Sequence, residues 1–308
     1  MGLMTPRHIA LALLVVLIWG LNFVVIHEGL AGMPPLLFVA IRFACILPIM
    51  AFVPRPQVAW RDLALVGLLM SAGQFGFLYS AMAAGLASGL ASLILQAQAL
   101  FTVVIAAAVL GERPRPIQLM GMGIAVGGLV VVALGRSGAT PLVGVLLCLA
   151  GALSWGAGNV ASRRCAGASG LGLTVWGSLF VPLPMLVLSL LIEGPGAVGD
   201  ALTHFGGAAI ASTAYTVILA SLVGYTIWNG LMGIYPASNV APFTLLVPVV
   251  GFLAGWVFLG ERPNAAAFVG GALLLVGVAV IVLGPRALTR LGARRQSSKR
   301  SSVTPSAP

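Results

Sequence analysis

Ten stretches of nearly continuous apolar residues run along the chain, at 9–29, 35–53, 63–83, 88–110, 117–134, 142–161, 172–192, 206–231, 237–259 and 266–284. Each is close to the roughly 20 residues a helix needs to cross a bilayer core. Apart from Arg42, the charged residues fall in the gaps between them, at their ends or in the tail. Barrel strands would be about 10 residues long and would alternate apolar with polar, so the runs are helical. The pattern predicts an all-α integral membrane protein with ten transmembrane helices. The first stretch exceeds the usual length of a signal-peptide core and has no small-x-small cleavage site after it, so it is expected to be retained.

The sequence repeats itself. Leu110-Gly111-Glu112-Arg113-Pro114 returns letter for letter 149 residues later as Leu259-Gly260-Glu261-Arg262-Pro263. In the same register Gly121, Gly128, Val131, Leu134 and Gly135 fall on Gly270, Gly277, Val280, Leu283 and Gly284, and Tyr79 falls on Trp228. The first stretch of each half also carries a Trp-Gly pair with an Asn close behind, Trp19-Gly20 with Asn22 and Trp155-Gly156 with Asn159. This predicts two repeats of five helices, 9–134 and 142–285, between a cytoplasmic N-terminus, 1–8, and a basic tail, 286–308. An odd number of spans per repeat makes the repeats inverted in the membrane. Two related halves facing each other across a pathway point to a transporter.

Composition narrows the class further. Apolar residues make up 60% of the chain and charged residues 7%, against about 25% charged in soluble domains. That excludes a soluble protein and leaves no room for a soluble catalytic domain. With the N-terminus inside, Arg7, Arg55, Arg61, Arg113, Arg115, Arg163 and Arg164 fall in inner loops, and only Arg136 and Arg262 in outer ones. The positive-inside rule thus places both termini in the cytoplasm. The net charge of +10 is dispersed over short loops and the tail, without the interleaved aromatics of a nucleic-acid surface. The tail, rich in Arg, Ser and Pro, is expected to be disordered and to touch anionic lipid headgroups.

Cys45, Cys148 and Cys165 have no paired spacing, and His8, His27 and His204 lie at span ends or in loops, so no disulfide, metal or other cofactor is expected. A membrane enzyme would need a cluster of acids, bases or a metal at membrane depth, and these groups are dispersed. The chain has no phosphate-binding Gly-Lys loop for ATP. All six acids lie in loops or at span ends. Proton coupling through Glu112 or Glu261 and export down the solute's own gradient therefore both stay open.

Polar side chains inside hydrocarbon are costly, so each is a candidate pathway residue. Arg42, deep in the second span, could fork onto a substrate carboxylate, or it could snorkel outward or tie down freed carbonyls. Gln74, Gln96 and Gln98 can both donate and accept, matching the two ends of a zwitterion. Two residues apart on an α-helix, Gln96 and Gln98 should point to different faces. Trp19 with Asn22 and Trp155 with Asn159 each share a helix face, as do Tyr225, Trp228 and Asn229, opposite Tyr79 by the repeat. Each such face could instead pack between helices. Pro242 and Pro248 should interrupt the ninth span, and the glycines at 121–128 and 270–277 should let helices approach closely.

The ten-span layout, Trp19-Gly20-Leu21-Asn22-Phe23, Ile41-Arg42-Phe43 and the two Gly-Glu-Arg turns resemble the EamA family of the drug/metabolite transporter superfamily. Gly89-Leu90-Ala91-Ser92-Leu93, Leu95-Gln96-Ala97-Gln98-Ala99 and Leu245-Leu246-Val247-Pro248 are similar to the amino-acid metabolite exporters within it. The resemblance, covering residues 9 to 285, implies export of amino acids or related small metabolites such as cysteine and O-acetylserine from a bacterial inner membrane, by alternating access. Aromatic amino acids or drug-like cations are the neighbouring cargoes, and a non-transporting membrane scaffold is the rival from another class.

Overall fold

The computed structural model describes residues 4–135, 141–165, 167–235 and 237–301, and every regular element among them is helical. Arg136, one of the two basic residues assigned outside, and the last seven residues of the tail lie outside the described set. The apolar helices are α1 (Pro6–Gly32), α2 (Pro35–Ala51), α3 (Trp60–Ala83), α4 (Ser88–Leu110), α5 (Pro116–Leu134), α6 (Leu142–Cys165), α7 (Gly170–Phe180 with Pro182–Ile192), α8 (Gly207–Met232), α9 (Phe243–Leu259) and α10 (Ala265–Gly284). Among the described residues, α1, α3, α4, α5, α6, α8 and α10 are long and apolar enough to cross a bilayer. The other three depart from the expected pattern at prolines: α2 turns 3₁₀ around Pro48, α7 bends by 44° at Pro182, and α9 is 3₁₀ as far as Leu246, in a segment that starts at Ala241 and contains Pro242. A proline removes a donor and blocks the preceding turn, so the helix breaks there.

The helix that begins at Ala265 continues through the basic tail to Ser301, where the sequence composition suggests disorder. Arg, Ala and Leu make up nine of the 16 residues from 286 to 301, all good helix formers, and extending an existing helix avoids the cost of nucleation.

Irregular features recur at the repeat spacing. A π-helical segment, Gly67–Gly73, interrupts α3, and another, Tyr215–Val223, interrupts α8; an offset of 149 residues carries the first onto the second. Both copies of the repeated pentapeptide end a helix: Gly111 (φ 67°) and Gly260 (φ 63°) adopt the left-handed conformation that closes α4 and α9. Glycine reaches this conformation without steric penalty, which accounts for its place in the motif.

Glycines also set the contact between α5 and α10. A Cβ on Gly121 would lie 2.8 Å from the carbonyl oxygen of Gly277, and one on Gly270 would lie 2.6 Å from that of Gly128. The contacts cross, because Gly121 corresponds to Gly270 and Gly128 to Gly277 in the repeat register, as in a two-fold related antiparallel pair. Gly277→Leu should therefore force the backbones apart and cost at least about 1–3 kcal/mol. Gly123→Leu, where a Cβ would meet nothing within 4 Å, should stay within about 0.5 kcal/mol. Thermal unfolding in detergent checks both, and equal losses would count against this contact.

At one end of the bundle two carboxylates cap helices of the opposite half. Glu193 accepts hydrogen bonds from the backbone N–H of Leu36 (2.8 Å) and Leu37 (3.3 Å), and Glu261 from Ser88 (2.5 Å) and Gly89 (2.9 Å). At the other end Glu112 pairs with Arg163, and Asp62 lies 3.9 Å from Arg164.

Candidate functional site

One cavity of about 290 Å³ opens between the helices, and its wall includes Trp19, Asn22, Arg42, Gln74, Gln96, Gln98, Trp155, Asn159, Tyr225 and Trp228. Ligand pockets run from about 300 to 1,000 Å³, so this one suits a small solute. The wall is shared between the halves, with α1 to α4 on one side and α6, α8 and the start of α9 on the other.

The π-helical segments shape two sides of this wall. The indole Nε1 of Trp19 donates to the carbonyl of Ala220, inside the second π segment, at 2.9 Å. Its ring packs 5.5 Å from Tyr225 and 5.4 Å from Trp228, forming an aromatic wall between α1 and α8. On α3, the π segment ends where Gln74 and Phe75 face the cavity.

Arg42 is buried, with 3% of its surface exposed. Its Nη1 donates to the Tyr79 hydroxyl at 3.0 Å and its Nη2 to the Ser221 hydroxyl at 3.4 Å. The guanidinium lies 4.0 Å from the centroid of the Phe75 ring. The side chain therefore does not snorkel; it joins α2 and α3 of the first half to α8 of the second. Among the described residues no Asp or Glu lines the cavity, so Arg42 is its only formal charge.

Gln96 and Gln98 both reach the wall, contrary to the expectation from α-helical spacing. Leu95–Ala97 is a 3₁₀ turn, which brings residues two apart from about 160° to about 120° of each other around the axis. Gln98 Oε1 accepts from Asn159 Nδ2 at 2.8 Å, and Gln96 Nε2 reaches the Thr244 carbonyl at 3.5 Å.

Two candidates lie off the wall. Tyr79 is fully buried behind Arg42, against Phe38 and Phe75. Asn229, one residue past Trp228, turns away to α7, where its amide fills the space a side chain on Gly170 would need. Sequence reasoning missed Phe23, Met70, Phe75, Ser92 and Thr244, which also line the cavity. Phe75 follows Gln74 directly and Phe23 follows Asn22, but apolar neighbours in apolar spans carry no contrast that would single them out.

Two halves, each with helices broken where they meet a shared polar and aromatic cavity, also match a known family twice, over residues 7–134 and 142–283. The chain belongs to the EamA-like transporter family. It is a multi-pass membrane protein, a member of a family of transporters. A probable amino-acid metabolite efflux pump of Salmonella typhimurium is 42% identical over 283 residues, 90% of this chain and 95% of that one. A protein of the same description from Escherichia coli is 39% identical, over 92% of this chain and 97% of its own. A probable terminal-alkyne amino-acid exporter of Streptantibioticus cattleyicolor is 29% identical over 80% of each chain. A solved crystal structure shares the fold, with a TM-score of 0.57 at 21% identity, over 92% of this chain and 99% of that one.

Proposed function

We propose that the protein exports amino acids or related small metabolites, of the cysteine and O-acetylserine kind, by alternating access between two inverted five-helix repeats. The cavity shared by the two halves carries this reading. It offers one guanidinium, several neutral amides and an aromatic wall in a volume suited to an amino acid, and among the described residues no carboxylate of the kind a drug-like cation would favour lines it. The bacterial relatives described as amino-acid efflux pumps support the same cargo class. The crossed glycine contacts and the repeated π segments support ten spans related by a two-fold axis in the membrane plane; the arginines of the inner loops support both termini in the cytoplasm, with the basic tail on anionic lipid.

Counterflow in proteoliposomes with a panel of labelled amino acids tests the cargo. Uptake of at least one, including cysteine or O-acetylserine, is expected; no uptake of any sinks the assignment. Repeating the assay with and without a pH gradient decides whether protons drive export. For topology, Arg113→Cys and Arg262→Cys in a cysteine-free background should label from opposite sides of the membrane, since the two turns occupy opposite ends of the inverted repeat. Labelling from the same side would refute inversion.

A further inference from the structure

We propose that the cavity selects its cargo by a free carboxylate together with a hydrogen-bond donor, and that it does not require the amino group to carry a charge. Resting on the exporter reading above, this extends the cargo class to N-acylated amino acids and α-hydroxy acids, and it excludes carboxamides and esters.

The donor side is Arg42. A guanidinium has five N–H groups, and the protein engages Nη1 with Tyr79 and Nη2 with Ser221. Its Nε is buried without a partner among the described residues. The Nε edge is thus left unused in a side chain that is otherwise pinned by two hydroxyls and the Phe75 ring. A pinned fork with one N–H still unmet, on a side chain that lines the cavity, matches the planar, two-oxygen geometry of a carboxylate. A carboxamide offers one acceptor and turns a donor toward the guanidinium, and an ester has lost the charge, so both forfeit this match.

The acceptor side is Asn22, 9% exposed, whose Oδ1 is also buried with no partner among the described residues. A buried acceptor left unmade costs free energy that a cargo donor recovers. An ammonium, an amide N–H or an α-hydroxyl each supplies such a donor, so the oxygen does not distinguish among them by charge.

Electrostatics decides the rest. Among the described residues no Asp or Glu lines the cavity, so none of them answers an ammonium with a charge, whereas the guanidinium answers a carboxylate. A zwitterion leaves the occupied cavity with one net positive charge and an N-acyl amino acid leaves it neutral. In a medium of low polarity that difference favours masking the amine, or at least offsets the loss of its charge. The aromatic rings could still hold an ammonium, and this alternative makes the opposite prediction for N-acetylation.

The test uses the wild-type protein in proteoliposomes, with counterflow of a labelled amino acid and unlabelled competitors that share one side chain: the free amino acid, its N-acetyl derivative, its α-hydroxy analogue, its carboxamide and its methyl ester. The N-acetyl and α-hydroxy compounds should compete within about threefold of the parent, and the carboxamide and ester at least about tenfold worse, as expected for losing one charge-assisted contact. Equal competition by the carboxamide, or a tenfold loss on N-acetylation, overturns the proposal while leaving an exporter of amino acids intact. A second measurement needs no flux. In detergent, N-acetyl amino acid should raise the unfolding temperature and its carboxamide should not; a shift with neither or with both overturns the proposal. Absence of counterflow for every labelled amino acid would instead defeat the exporter reading, and the thermal shifts would still decide the recognition rule. Asn22→Asp adds the missing acid and should shift preference at least tenfold toward the free amine over its N-acetyl form. An unchanged ratio in a folded variant counts against the charge argument.

Discussion

Glu261→Ala should lower the protein's stability by about 2–4 kcal/mol, the worth of two charge-assisted bonds to the backbone at a helix N-terminus. The carboxylate of Glu261 accepts from Ser88 and Gly89 at the start of α4, and it fits there because Gly89 and Gly255 leave the space. Glu261→Gln keeps one acceptor oxygen and should recover about half of the loss. Glu112, its twin in the repeated pentapeptide, should behave differently. Its side chain is 51% exposed and pairs with an Arg163 that is 46% exposed, and exposed pairs contribute about 0–1 kcal/mol. Glu112→Ala should therefore fall in that range. Thermal unfolding of the four proteins, wild type included, in one detergent settles the comparison, and equal losses for the two alanine variants would show that the cap is not what stabilises α4. Because Glu261 ties the α9–α10 turn to α4 across the two halves, its loss should also reduce counterflow by more than that of Glu112.

Identical letters with unlike surroundings show where sequence reasoning reaches its limit. Leu-Gly-Glu-Arg-Pro marks both helix ends because Gly111 and Gly260 need a left-handed conformation, and that need is local and therefore legible. What each glutamate then meets depends on helices far away in sequence, which no local pattern records. The same division holds for the helices. Apolar runs reveal that a segment is buried in lipid; of the two prolines expected to interrupt the ninth span, Pro242 lies in a 3₁₀ stretch, whereas Pro248 sits in the first turn of the helix that follows and breaks nothing. Whether a broken segment is one span or two follows from packing. In the cavity, Arg42, Trp19 and the amides stood out because polar groups in hydrocarbon are conspicuous. Phe75 and Met70 were invisible for the opposite reason, and Asn229 misled because sharing a helix face with Tyr225 and Trp228 does not fix which neighbour that face meets. Gln96 and Gln98 reach the wall together only through the 3₁₀ turn at Leu95–Ala97, a local overwinding that the Leu-Gln-Ala-Gln alternation does not announce.

Removing Arg42 alone should cost more than its net contribution, because it strands a buried hydroxyl. Arg42→Leu leaves the fully buried Tyr79 hydroxyl without its charged donor and strips the cation from the Phe75 ring, a loss of about 1–3 kcal/mol for a buried polar group left unmet. Tyr79→Phe alone should cost about 1–3 kcal/mol, since it deprives a buried guanidinium N–H of its acceptor. Because the two losses share one hydrogen bond, the double variant Arg42→Leu/Tyr79→Phe should be more stable than the sum of the single losses by about 1–2 kcal/mol. Strictly additive costs would mean that Tyr79 serves as packing only. The same cycle separates structure from recognition. If Arg42 only bridged α2, α3 and α8, flux per folded protein would be the same for Arg42→Leu/Tyr79→Phe as for Tyr79→Phe. With the unmet Nε–H taking the cargo's carboxylate, as proposed above, the folded double variant should instead export carboxylate-bearing amino acids at least about tenfold more slowly per folded protein than Tyr79→Phe.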